Sequence, residues 1–198
     1  MNKIKNSVNW HLQTAGQVFN KSPLWILLLP LGFMLLLLGL DQTPLSAYMN
    51  KDSAEIAAPM ILAVAFTLSL FNIFSDQHIY HKWLAFFAFI LFMRELHFYG
   101  TNNGFYIGFL LLMWWGSKYR QRLVPYFDKK ILVSMIVLII WTYLISKSFD
   151  RHYWDSLIPE GVESDLFEEN LELIGHLLFL VLVFISGRMK SVTLENQP

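Results

Sequence analysis

Apolar side chains in this chain gather into long unbroken runs. The first, Leu24–Leu40, has no charge and closes on Asp41. Comparable runs cover 56–74, 83–93, 105–116, 131–145 and 171–187, and the third continues through Arg94, Glu95, Leu96 and His97 to Tyr99. Runs of this length are too long for strands and match the roughly 20 residues that an α-helix needs to cross a bilayer. The pattern predicts an all-α membrane protein: a bundle of six transmembrane helices at about 24–40, 56–74, 83–99, 105–118, 131–147 and 169–187, with a tail over 191–198. No A-x-A-like site follows the first run, so it is expected to stay in place as an uncleaved span. Pro30 sits within that span, and a kink near 26–30 is expected. The fourth run is short, about 18 Å of helix at 1.5 Å per residue, against a hydrocarbon core of about 30 Å. Gly100-Thr101-Asn102-Asn103-Gly104 joins it to the third through a strong turn signal. Either both helices extend into their flanks or the pair forms a hairpin with a sunken tip.

Ahead of the first span, Ile4, Val8, Leu12, Ala15 and Phe19 recur at helical spacing. With Trp10 and flanking lysines they predict an amphipathic helix over 1–20, lying on the cytoplasmic membrane surface or packed on the bundle.

Composition agrees with the pattern. The 198 residues are 55% hydrophobic and only 15% charged, where a soluble domain carries about a quarter. Fifteen basic and fifteen acidic residues cancel, leaving no basic footprint for nucleic acid. The absence of cysteine excludes disulfides, thiolate metal sites and cysteine nucleophiles. With both termini cytoplasmic, eleven of the fifteen lysines and arginines fall on inner segments, leaving Lys51, Arg94, Lys147 and Arg151 outside or within spans. A plasma membrane or bacterial inner membrane is the expected location.

Ionisable side chains inside such spans cost about 2.5 to 3.5 kcal/mol each on insertion scales and call for a reason. Asp165, Glu169, Glu172 and His176 follow at spacings of four, three and four, a single polar stripe running into the sixth span. Counted at 1.5 Å per residue from the inner edge, His176 lies at about 18 Å and Glu172 at about 24 Å, and Arg94 and Glu95 on the third span at about 18 and 20 Å. The levels match, so Glu172 is the expected partner of Arg94. Neighbours on a helix point about 100° apart, so Arg94 and Glu95 are expected to seek separate partners. The fifth span adds Thr142, Ser146 and Asp150, followed by Arg151 and His152. Arg94, Glu95, His97, Asp150, Glu169 and Glu172 thus form the candidate ion-pair or binding set, opening away from the cytoplasm.

Glu172-x-x-x-His176 places two potential ligands one turn apart, the spacing that lets paired histidines hold zinc. Glu172, His176 and His97 are the candidate ligands of a divalent transition metal; Glu95, Glu172 and His176 are the candidate acids and bases. Asp76 and the histidines His78 and His81 precede Lys82 in a short inner loop and are expected to be solvated. No G-x-S-x-G elbow, H-E-x-x-H or phosphate loop is present. Three functions stay open: a binding or accessory membrane subunit, an outward-facing enzyme acting on a lipid or lipid-linked substrate, and a small proton-coupled transporter. The expected partners are the lipid bilayer and either a lipid substrate or another membrane subunit, with no nucleic acid.

Overall fold

The computed structural model describes residues 8, 9, 12, 13, 16, 20, 22–41, 43, 44, 50–96, 101–151, 153, 154, 156, 158 and 164–189, the side chains of 101–103 excepted. The expected amphipathic helix over 1–20, His97, His152 and the tail over 191–198 lie wholly or mainly outside these residues. Every regular element described is helical: a 3-10 turn over Leu24–Leu28, then α1 Leu29–Asp41, α2 Lys51–Ser75, α3 Ile79–Glu95, α4 Thr101–Lys118, α5 Arg120–Phe127, α6 Lys130–Asp150 and α7 Ser164–Arg188. Three of them, α2, α6 and α7, are long and apolar enough to cross a membrane, with mean hydropathies of 2.1, 1.9 and 1.9 over their most apolar stretches.

Several boundaries differ from the apolar runs because polar residues close the helices. Asn50 caps α2, its side-chain oxygen accepting from the Ser53 N–H at 2.8 Å, so α2 begins at Lys51 and includes a polar first turn. His78 does the same for α3, its Nδ1 accepting from the Tyr80 N–H at 3.2 Å. That helix therefore starts at Ile79 and ends at Glu95, short of the expected Tyr99. The short helix α5 has no counterpart among the runs; its Leu123 and Tyr126 are buried and its Phe127 packs against the core, while Arg120, Gln121, Arg122 and Val124 are exposed.

Pro30 does not kink a continuous helix. It stands at the second residue of α1, where its missing N–H is one of the unpaired donors of any helix start. The tighter 3-10 turn before it leaves the Leu27 carbonyl facing a residue that has no N–H. The indole Nε1 of Trp141 on α6 donates to that carbonyl at 2.9 Å.

Helix α7 is the centre of the bundle. It packs against α6 on one side and α2 on the other, with α1 resting on α6 and α7; α3 packs on α2, and α4 on the far side of α3. Its buried residues, from Phe167 through Leu171, Gly175, Phe179 and Leu182 to Ser186, follow helical spacing over its whole length. Outward faces stay apolar: Ile56, Met60, Val64, Phe71 and Phe74 on α2 and Tyr106, Leu110 and Trp114 on α4 are all more than half exposed. In water this surface would be a large association patch; facing lipid it needs no cover.

Close approach of α2 to α7 is held by one amide. Asn72 Nδ2 donates to the Val183 carbonyl at 3.0 Å, and a Cβ at Gly187 would collide with that same amide. Gly187→Ala should therefore push the Asn72 side chain off its bond and destabilise the protein more than Asn72→Ala does, the latter losing about 1 kcal/mol. Melting in detergent should show Gly187→Ala partly relieved when Asn72→Ala is added; a strictly additive pair would mean that the two residues do not meet.

Candidate functional site

The polar stripe of α7 meets α3 and α6 at the end of the bundle that carries Glu95. His176 has no exposed surface, and Glu172 is buried beside it. From α3, whose last turn contains both Arg94 and Glu95, the Arg94 guanidinium reaches across so that Nη2 lies 2.6 Å from Glu172 Oε1. At this separation the two form a close, largely buried ion pair. The Arg94 Nε also stands 3.9 Å from Glu95 Oε1. The expectation that neighbouring residues would seek wholly separate partners is therefore only half met, because the long arginine side chain folds back along its own helix. Glu95 Oε1 in turn lies 3.6 Å from His176 Nε2.

The other ring nitrogen of His176 faces a residue absent from the expected set. Tyr143 on α6 places its Oη 2.7 Å from His176 Nδ1, donating or accepting according to the tautomer. Gly175 makes this possible: a Cβ there would sit 2.7 Å from Tyr143 Cε1 and 3.0 Å from Cζ, so the phenol lies flat against the α7 backbone beside the histidine it contacts. A glycine immediately before the histidine, and a tyrosine one turn before Lys147, are the available signals in the sequence. Neither stands out in a span already rich in aromatics.

The remaining candidates stand apart from this core. Asp150 lies at the exposed end of α6, its carboxylate 3.3 Å from Lys147 Nζ, and the same ammonium reaches Glu168 Oε1 at 3.2 Å. Glu169 faces Lys51 at 3.6 Å, as does Asp165 at 3.7 Å. Both residues thus belong to a rim of ion pairs that ties α2 and α6 to α7, and the buried group consists of Arg94, Glu95, Glu172 and His176 with Tyr143. On α6, Thr142 Oγ1 donates to the Leu138 carbonyl one turn back, the ordinary habit of membrane hydroxyls. Ser146 instead donates to the Glu168 carbonyl of α7 at 2.9 Å and joins the two helices.

At the opposite end of the bundle the expectation of solvated residues is overturned for His81. Its ring is 1% exposed, with Nε2 3.6 Å from Asp76 Oδ2. Tyr80 and Tyr126 stack beside it, centroids 4.2 Å apart and planes 10° from parallel. The helix cap at His78 turns α3 inward just before these residues, so the loop is shorter than its polar sequence implies. Burial lowers the His78 pKa below the ordinary imidazole range, and burial pushes Tyr126 up to about 12.

Chemically, the buried core offers a carboxylate, an imidazole and a phenol in series, with a second carboxylate held by a guanidinium. Such a chain can hold a proton or a cation and orient it, and it joins α3, α6 and α7 through polar contacts alone. No protein-family model, no curated protein and no solved structure matches this chain.

Proposed function

We propose that the chain is a six-span membrane protein of a plasma or bacterial inner membrane, with both termini in the cytoplasm. In this reading it is a binding or accessory subunit, and its outward-facing Arg94, Glu95, Glu172 and His176 network is the docking element. α1 with the 3-10 turn before it, α3 and α4 complete the span count; at 17 and 18 residues the last two measure about 26 and 27 Å. These lengths suffice when flanking residues reach the interface or the bilayer thins by a few ångströms.

The observation that carries the reading is the pairing of polar groups across helices. Arg94 of α3 lies against Glu172 of α7, and Glu95 of α3 against His176 of α7, as expected of a device that fixes helix positions. A transporter needs polar groups that continue inward. Below His176, α7 runs Leu177-Leu178-Phe179-Leu180-Val181-Leu182-Val183-Phe184-Ile185 without one, which favours binding at one face over passage.

Because the chain has no native cysteine, the topology is directly testable. Asn103→Cys and Glu160→Cys should react with a membrane-impermeant thiol reagent added to intact cells, and Gln121→Cys and Asn196→Cys should react only after the membrane is opened. Labelling of Gln121→Cys from outside would rule out the six-span arrangement.

A further inference from the structure

We infer that Glu95, Glu172 and His176 form a transition-metal site, with Tyr143 as the outer residue that orients the histidine. The inference rests on the binding reading above and names the ligand of that site. Its geometric basis is that one donor atom from each of the three residues lies within 4.8 Å of the other two. All three stand on two helices, Glu95 at the end of α3 and Glu172 and His176 within α7.

Three further observations distinguish this group from an ordinary cluster of acids. His176 Nε2 is fully buried and makes no hydrogen bond, a costly state for an imidazole nitrogen. Its distance to Glu95 Oε1, 3.6 Å, is too long for a hydrogen bond. It is close to the edge of a tetrahedron drawn around an ion at about 2.1 Å from each ligand, roughly 3.4 Å. Finally, the phenol of Tyr143 on Nδ1 can take the place of the carboxylate, carbonyl or water that fixes the tautomer of metal-bound histidines. With Nδ1–H donating to Oη, the Nε2 lone pair is left pointing at the carboxylates.

Arg94 does not exclude an ion. A carboxylate has two oxygens, and the guanidinium is placed on Glu172 Oε1, so Glu172 can hold Arg94 with one oxygen and turn the other to the ion. Two carboxylates and one imidazole suit Zn²⁺, Fe²⁺ or Mn²⁺ and not Cu⁺. Three protein ligands leave at least one position open. The Arg94 guanidinium, 2.6 Å from Glu172 Oε1, would favour an anionic ligand there, such as a carboxylate or phosphate group.

The test uses the full chain purified in detergent, stripped with a chelator and titrated with Co²⁺ and then Zn²⁺. One equivalent of Co²⁺ should bind, give visible d–d absorption and be displaced by Zn²⁺. Glu95→Gln, Glu172→Gln and His176→Gln should each weaken binding at least 100-fold, and Tyr143→Phe by about 10- to 100-fold. The rim variant Lys51→Ala should bind as the native chain does. Variants that fail to fold leave the decision to the native chain, where X-ray absorption of the Zn²⁺-loaded protein should show an all-N/O shell containing one imidazole. A native chain that binds no Co²⁺, a shell without imidazole, or affinity untouched by His176→Gln would overturn the site. Coupling between Arg94 and Glu172 is read separately, so loss of the metal with that coupling intact would remove the metal and leave the binding reading standing.

Discussion

Arg94→Leu, with Glu172 left in place, is expected to cost about 3 to 5 kcal/mol of stability, because a carboxylate buried without its counter-charge is far worse than no charge at all. Glu172→Leu should cost less. The guanidinium it abandons still has Glu95 within 3.9 Å, whereas Glu172 deprived of Arg94 loses a contact of 2.6 Å. The double variant Arg94→Leu/Glu172→Leu should recover much of the loss, since it leaves neither member of the pair buried without its counter-charge. Yield of monodisperse protein and the detergent melting temperature of the four chains together measure the coupling. Strictly additive losses would show that the two charges serve different partners and would remove the network as the feature that fixes α3 against α7.

That pair is legible in the sequence because depth is arithmetic: rise per residue, counted from the basic residues at the inner edge, puts Arg94 and Glu172 about one helical turn apart in level, within the reach of a guanidinium side chain. The helical class is legible for a similar reason, the length of the apolar runs. Side-chain reach and helix ends are not. Glu169 has the right spacing for the stripe and Asp150 for the polar face of the fifth span, yet each has a lysine within ion-pairing distance at the rim, Lys51 and Lys147. Apolar periodicity is blind to such local competition. Tyr143 escapes notice because an aromatic in an apolar span is read first as packing, and only the bare backbone of Gly175 reveals that it approaches a histidine. His81 misleads in the opposite sense: a polar sequence implies a loop, and the cap at His78 draws it into the helix.

Gly175→Ala is expected to destabilise the protein by about 1 to 3 kcal/mol, the usual range for overpacking a tight contact. A methyl group there would stand 2.7 Å from the Tyr143 ring, and the ring cannot retreat without giving up the 2.7 Å contact to His176. The rescue pattern identifies the cause. Tyr143→Phe keeps the ring atoms that clash and should not restore the melting temperature of Gly175→Ala, whereas Tyr143→Ala removes them and should. If Tyr143→Phe rescued as well as Tyr143→Ala, the hydroxyl and not the ring would be the source of the strain. If neither rescued, the two helices would not approach each other at this point.

The central place of α7 also sets an order on biogenesis. Glu172 is synthesised 78 residues after Arg94, so in the proposed six-span arrangement α3 would enter the membrane before the carboxylate that neutralises its arginine has been made. Until then the guanidinium has only its own neighbour Glu95 nearby, and the end of α3 is best accommodated near the lipid headgroups, where both charges keep their water. Arrival of α7 removes that need: it supplies Glu172 and His176 together and lets the last turn of α3 settle to its final depth. A nascent chain stopped before α7 would therefore present the α3–α4 hairpin in a shallower position than the finished protein does, and the translocation machinery would hold an unfinished bundle whose central helix is still to come.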